Sequence, residues 1–288
     1  MTRKELRVLV ATDGSRNARA AIAATLNFPW PDGTRVRVIS ARRTGAEYRK
    51  SILLTALDRG AEKAAESGRR TLSRRWPDVE ADVVDKTPTR GILDAAARFR
   101  ADVTVVGWRG HGAVRRLLMG SVSRGVVRGS TCAVLVVPRA QRVRTIVVGF
   151  DGSPTAKRAL ALVGRLAAPQ DGRVTLVHAA ELMPIPSGFV PGAAAVAREV
   201  RRQNTLRART ATRDLARAAA GLTRRGWHPS TVVRHGEPLR ELLGALAASR
   251  AQLLVVGARG TSGVRRLLLG SVAEGALSRS PVAVLVVR

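Results

Sequence analysis

The chain has 288 residues, 45% of them hydrophobic, one cysteine and a formal net charge of +29. That length accommodates two ordinary domains, each with its own core, and the composition is that of a globular chain rather than a disordered one. The lone Cys132 excludes an internal disulfide and any Cys-rich metal site, and no apolar run reaches the roughly 18 residues that a membrane-spanning helix needs.

The N-terminal residues run into a short apolar stretch without the apolar core or cleavage site of a signal peptide, so a cytoplasmic location is expected. Strand one is expected at 7–11, followed by the turn Thr12-Asp13-Gly14-Ser15. Residues 15–26 then place Ala18, Ala21, Ile22 and Leu26 at helical spacing. Pro29, Pro31 and Gly33 break the chain before a second strand at 35–40. Residues 45–75, rich in Ala, Glu and Arg, read as a long helix ending near Trp76-Pro77. A third strand at 79–84, a helix from Pro88 through Phe99, a fourth strand at 103–106 and a fifth at 133–137 complete the first half. Cys132 opens that last apolar run, where a buried, inert thiol is expected.

The pattern restarts at Thr145, whose strand runs into Phe150-Asp151-Gly152-Ser153. Further strands are expected at 173–178, 230–233, 253–256 and 282–287. The two Asp-Gly-Ser turns lie 138 residues apart (13 to 151), but Gly107 and Gly257 lie 150 apart, so the second copy carries 12 extra residues. The Pro/Gly-rich stretch 181–192, between its second and third strands, reads as that insertion and as a loop or flap. Two domains follow, 1–140 and 141–288. Alternating helices and continuously apolar strands make the fold class α/β. Each domain is expected to be a doubly wound, five-stranded parallel sheet with helices on both faces.

One stretch occurs twice. Gly107-Trp108-Arg109-Gly110 with Gly120-Ser121-Val122-Ser123 is matched by Gly257-Ala258-Arg259-Gly260 with Gly270-Ser271-Val272-Ala273, both spaced Gly-x2-Gly-x9-Gly-Ser. Each copy follows an apolar strand. The glycines are expected to supply positive φ and close backbone approach. Ser121 and Ser271 are expected to cap the helices that follow, whose free N–H groups attract an anion. In an open parallel sheet, ligands bind beyond the carboxyl ends of the strands, and Asp13 with Gly107, and Asp151 with Gly257, both stand at such ends. Asp-Gly is also a turn former in its own right. Arg109 and Arg259 are candidate phosphate clamps. Arg115, Arg116, Arg265 and Arg266 are either further clamps or a solvated basic loop. No Gly-x4-Gly-Lys-Ser/Thr occurs, which excludes a P-loop.

The doubled signature resembles the ATP-binding signature of the universal stress protein family, over nearly the whole chain as two tandem domains. The resemblance implies a Rossmann-like fold of the adenine nucleotide alpha hydrolase type and ATP, normally with Mg²⁺, as ligand. It assigns the nucleotide contacts to Asp13, Ser40 or Ala41, Gly107, Gly110, Gly120, Ser121 and Ser123. In the second half they fall on Asp151, His178 or Ala179, Gly257, Gly260, Gly270 and Ser271. Val122 and Val272 sit within the two Gly-Ser helix starts. Ala273 departs from the pattern where Ser123 keeps a hydroxyl, a difference of about 1 kcal/mol in donor terms. The resemblance also implies pairing of the halves through their fifth strands, an internal pseudo-dimer, with further self-association as a homodimer.

Residues 1–140 hold 27 basic and 13 acidic side chains and residues 141–288 hold 23 and 8, so the charge is even between the halves. A basic chain favours anionic partners in a salt-dependent way. Three functions are compatible with these features: a regulatory ATP-binding stress protein with a signalling partner that the sequence does not identify, a nucleic-acid-associated protein with vestigial loops, and a slow ATPase. The intact double signature favours the first. Even charge and an aromatic content of 3% count against the second. No general base beyond Asp13 and Asp151 is evident, so efficient hydrolysis is not implied. His111, His178, His228 and His235 show no metal-ligand spacing.

Overall fold

The structure is a computed structural model that describes residues 5–42, 52–110, 119–180, 183, 193–260 and 269–288. The first half runs β1 (Arg7–Ala11), α1 (Arg16–Asn27), β2 (Arg35–Arg42), α2 (Ile52–Leu72), β3 (Glu80–Asp85), α3 (Pro88–Phe99), β4 (Val103–Gly107), α4 (Ser121–Gly129) and β5 (Ala133–Val137). The second runs β6 (Thr145–Gly149), α5 (Pro154–Val163), β7 (Arg173–Ala180), α6 (Ala193–Thr223), β8 (His228–His235), α7 (Pro238–Ser249), β9 (Leu253–Gly257), α8 (Ser271–Arg279) and β10 (Ala283–Val287). The expected alternation of strand and helix holds throughout. The second half's third strand runs longer than expected, from His228, with Pro229 tolerated because β8 is an edge strand. The expected loop at 181–192 lies outside the described residues except for Met183, whose N–H and C=O are both bound by the Asn204 amide at 3.2 Å.

Local chemistry sets the boundaries. The Ser15 hydroxyl accepts from the Ala18 N–H at 3.2 Å and starts α1, and Ser153 does the same for Ala156 at 3.2 Å in α5. Pro88 and Pro238 occupy first-turn positions, where a missing N–H costs nothing. The Glu237 carboxylate caps α7 from Leu239 and Arg240, the latter at 2.7 Å. Arg100 and Arg250 close α3 and α7 in the left-handed conformation, φ 51° and 50°.

The strands form one ten-stranded sheet in the order β3-β2-β1-β4-β5-β10-β9-β6-β7-β8. Every neighbouring pair is parallel except β5 with β10, which run antiparallel with Leu135 opposite Leu285. The halves are thus joined through their fifth strands. Each face of the sheet carries one apolar cluster that spans both halves. One contains α1, α5 and α6 residues such as Ile22, Leu162 and Leu215, and the other contains Ile92, Val126, Leu246 and Leu277. The inner strands β4, β5 and β10 are buried along their whole length, which is why they read as uninterrupted aliphatic runs.

Polar contacts lock the same seam. The Trp108 indole N–H donates to the Leu277 carbonyl at 3.0 Å. Arg288, whose pKa is lowered chiefly by burial and then by the charge of Arg259, donates to the Val127 carbonyl at 2.8 Å and so closes the end of α4. Arg128 pairs with Glu274, and Arg165 with Asp102 at 3.2 Å.

Leu285→Ala removes a side chain that is 1% exposed at the centre of this seam. It should cost about 2–5 kcal/mol. Urea unfolding followed by tryptophan fluorescence and by far-ultraviolet circular dichroism should shift as one transition, because both halves share the sheet.

Candidate functional site

Within each half the strand order reverses between the first and fourth strands: β1 pairs with both β2 and β4, and β6 with both β7 and β9. This switch point is where a parallel sheet leaves a crevice at its carboxyl edge. The Asp-Gly-Ser turn and the signature loop meet there. Asp13 Oδ1 accepts the Ser15 N–H at 2.9 Å, and Asp151 Oδ1 accepts the Ser153 N–H at 3.0 Å. The other oxygen of each faces the loop. A methyl group added at Gly110 would overlap Asp13 Oδ2, and one at Gly260 would lie 2.9 Å from Asp151 Oδ2. The carboxylate therefore closes the turn with one oxygen and faces the loop with the other.

The signature glycines act differently from expectation. Positive φ occurs at Gly14 (75°) and Gly152 (78°), in the Asp-Gly-Ser turns, and not at Gly107, Gly110, Gly257 or Gly260. What the loop glycines supply is close approach. A methyl at Gly107 would stand 2.7 Å from the backbone carbonyl of Asn17. One at Gly257 would overlap Thr155 and lie 3.0 Å from the Ala156 nitrogen. These residues let β4 and β9 end flush against the first turns of α1 and α5. The expected caps also move by one residue. Gly120 and Gly270 are the N-caps, and Ser121 and Ser271 are the first helical residues. Neither N-cap has a side chain to bond its own helix, so among the described residues no cap occupies the leading N–H groups of α4 and α8. Glycine at the cap also lets the chain fold back on itself, with Gly120 N–H donating to the Trp108 carbonyl and Gly270 N–H to the Ala258 carbonyl, both at 2.9 Å.

Ser123 is 4% exposed, and its hydroxyl donates to the Gly107 carbonyl at 2.6 Å. Its proton braces the end of β4 rather than pointing at the crevice. Ala273, in the same place in the second half, is 1% exposed, so the departure from the signature removes a brace. Ser15 and Ser153 donate alike to the carbonyls of Arg109 and Arg259, and Thr155, where the first half has Asn17, adds a second bond to the Arg259 carbonyl. Arg109 lies 4.2 Å over the Trp108 ring, a cation–π contact that draws its guanidinium toward the seam. Arg115, Arg116, Arg265, Arg266 and His111 lie outside the described residues.

In the second half the crevice is a cavity of about 260 Å³, just below the ~300–1,000 Å³ typical of small-molecule sites. One wall is apolar, made by Val177, Ala179, Leu242 and Val256. The other carries Asp151, Gly257, Arg259, Gly260 and the opening of α8 from Gly270 to Ala273, including Ser271 and Val272. Of the pair His178 or Ala179, the structure places Ala179 in this cavity. His178 points to the other face of the sheet, its Nδ1 3.0 Å from the Phe150 carbonyl, and lines a separate hollow of about 390 Å³ beside α6. The same alternation separates Ser40 from Ala41. Ser40 is 2% exposed on the Val38 side, and its hydroxyl has no hydrogen-bond partner among the described residues. Ala41 lies against α3, 3.3 Å from where a methyl on Gly91 would be. A strand shows successive side chains to opposite faces, so only one residue of each pair reaches the crevice. In the first half Ala64 packs 3.3 Å from where a methyl on Gly14 would be, whereas no described residue lies within 4 Å of one on Gly152. The apolar wall was not singled out in the sequence, because Leu242 and Val177 there look like any other core residues.

The universal stress protein family model matches residues 6–138 and again 142–288. The chain belongs to the universal stress protein family. A universal stress protein of Mycobacterium tuberculosis (strain ATCC 25618 / H37Rv) is 30% identical over 309 residues, covering 99% of this chain and 98% of that one. One from Thermus aquaticus is 32% identical over 145 residues, covering 50% of this chain and 98% of its own length. The crystal structure of a universal stress protein from Archaeoglobus fulgidus DSM 4304 covers 98% of both chains with a TM-score of 0.71 at 20% identity, a likeness of fold. The double signature thus sits in a tandem member of the family with relatives of full length.

Because Gly107 and Gly257 are packed against backbone, their replacement by alanine should destabilise the protein by about 1–3 kcal/mol even when it is stripped of ligands. Differential scanning calorimetry on stripped protein checks this. An unchanged melting temperature would mean that the strand ends have room that this packing denies them.

Proposed function

We propose that this universal stress protein is a cytoplasmic sensor that binds ATP as a regulatory ligand of the stress response. The observation that supports this reading is the second-half cavity, where an apolar wall and an uncapped helix start face each other across one carboxylate. A purine ring suits the wall of Val177, Ala179, Leu242 and Val256. Ribose hydroxyls suit the loop-facing oxygen of Asp151. Phosphates suit the open N–H groups of α8, the Gly257–Gly260 loop and the Arg259 guanidinium. The first half offers Asp13, Ala41, Gly107, Arg109, Gly110, Gly120 and Ser121 in the corresponding places. Mg²⁺ would ride on the phosphates with its own waters, since Asp151 is the single carboxylate among the described residues of that cavity's wall. Binding and release, rather than turnover, is the chemistry this donor set favours, because no second acid or base accompanies that carboxylate among the described residues.

The test is the nucleotide content of purified protein by heat extraction and chromatography, with titration of stripped protein. Wild type should carry ATP. Gly260→Asp, which sets a second carboxylate beside Asp151, should weaken second-site affinity at least about tenfold, a loss of ~1.4 kcal/mol. Gly110→Asp should do the same at the first site. Absence of bound nucleotide together with a flat titration at millimolar ATP would sink the reading.

A further inference from the structure

The basic charge is even between the halves in number, but the fold gathers part of it on one helix. The two long helices α2 and α6 occupy equivalent places after the second strand of each half. The α2 sequence sets four basic residues against three acidic ones over 52–72. The α6 sequence sets seven arginines, from Arg198 to Arg217, against Glu199 and Asp214 alone. All seven arginines are exposed. Arg202 pairs with Glu199 at 3.4 Å and Arg213 with Asp214 at 3.6 Å. The other five have no acidic partner among the described residues.

Their spacing makes a stripe. At about 100° per residue, Arg198, Arg202, Arg209, Arg213 and Arg217 fall within roughly 100° of one another. The opposite side of the helix carries Ala211, Leu215, Ala218 and Leu222, which are buried against the sheet. The stripe runs about 28 Å along the axis at ~1.5 Å per residue. We propose that this arginine face of α6 is a docking surface for the phosphate backbone of duplex nucleic acid, read without regard to sequence.

The chemistry favours a duplex over the other polyanions. Guanidinium groups bind phosphate in a planar, two-pronged geometry. A duplex offers one charge per ~1.7 Å of axis, so a straight row of arginines meets a matching row of phosphates. Single strands are held largely by aromatic stacking, and the face has no aromatic residue. An interfacial helix anchors itself in a membrane by inserting an apolar face. The apolar side of α6 is spent on the sheet, leaving only Val196 and Leu206 as large exposed aliphatics among the described residues.

The test compares two quartets in the full chain, each removing four exposed arginines. One is Arg198→Gln, Arg202→Gln, Arg209→Gln and Arg213→Gln. The other removes the same charge elsewhere, through Arg74→Gln, Arg98→Gln, Arg139→Gln and Arg142→Gln. Circular dichroism confirms that both fold. Binding to a mixed-sequence DNA duplex of roughly 20 base pairs, longer than the stripe, is followed by fluorescence anisotropy across a salt series. Wild type should bind with a Kd of about 10⁻⁴–10⁻⁶ M near physiological salt. The α6 quartet should flatten the log–log salt slope by up to about 3.6, or ~0.9 for each phosphate that is no longer neutralised. The control quartet should leave the slope close to wild type. Equal losses in both quartets would assign binding to overall charge and overturn the proposal. So would absence of duplex binding alongside α6-dependent sedimentation with anionic phospholipid vesicles, which would make a membrane the partner. ATP titration of the α6 quartet should be unchanged, which keeps this result separate from the nucleotide reading.

Discussion

The antiparallel pairing of β5 with β10 is the contact on which the rest of the molecule depends. Each half ends in a strand of five aliphatic or small residues, Ala-Val-Leu-Val-Val, buried on both faces. Left alone, either strand would be an open, apolar sheet edge, which is an aggregation hazard. Pairing them removes both edges at once and merges the apolar clusters across the seam. The remaining edges, β3 and β8, are the two strands with the most exposed residues. Burial is therefore greatest at the middle of the ten-stranded sheet and declines outward.

The seam also breaks the symmetry of the repeat. Trp108 and Ala258 hold the same place in the two signature loops, yet only the indole reaches across to Leu277. That carbonyl belongs to α8, whose other end opens into the second-half cavity. Arg288 makes a second link, between the last strand and the carboxyl end of α4. The two crevices are thus joined by short chains of rigid elements, and the links are not interchangeable. Sequence similarity between the halves conceals this, because the residues that differ are the ones that cross.

The glycine signature carries two separate constraints. Gly107 and Gly257 answer to packing, since a strand end cannot otherwise meet the first turn of a helix. Gly120 and Gly270 answer to the open helix starts, since a serine or aspartate cap would occupy the N–H groups with its own oxygen. The loop-facing carboxylate oxygens of Asp13 and Asp151 complete the arrangement by closing the gap to Gly110 and Gly260. A sequence motif that looks like a single recognition element is, in the structure, a packing rule and a rule for leaving a helix start uncapped, superposed.

The sequence alone determined the family, the repeat and the order of strands and helices. Those follow from local periodicity, from proline and glycine punctuation, and from a spacing that occurs twice. It also brought Asp13 to Gly107 and Asp151 to Gly257, because strand ends and the switch point are properties of topology. What it left open was which neighbour in a pair faces the crevice. Ala179 rather than His178, and Ala41 rather than Ser40, is a matter of strand parity, and parity is set only when the strand is packed between two layers of helices. The same holds for the role of Ser123, for Trp108 and Arg288, and for the arginine face of α6. Each depends on residues far apart in the chain, and only the folded sheet decides which of them meet.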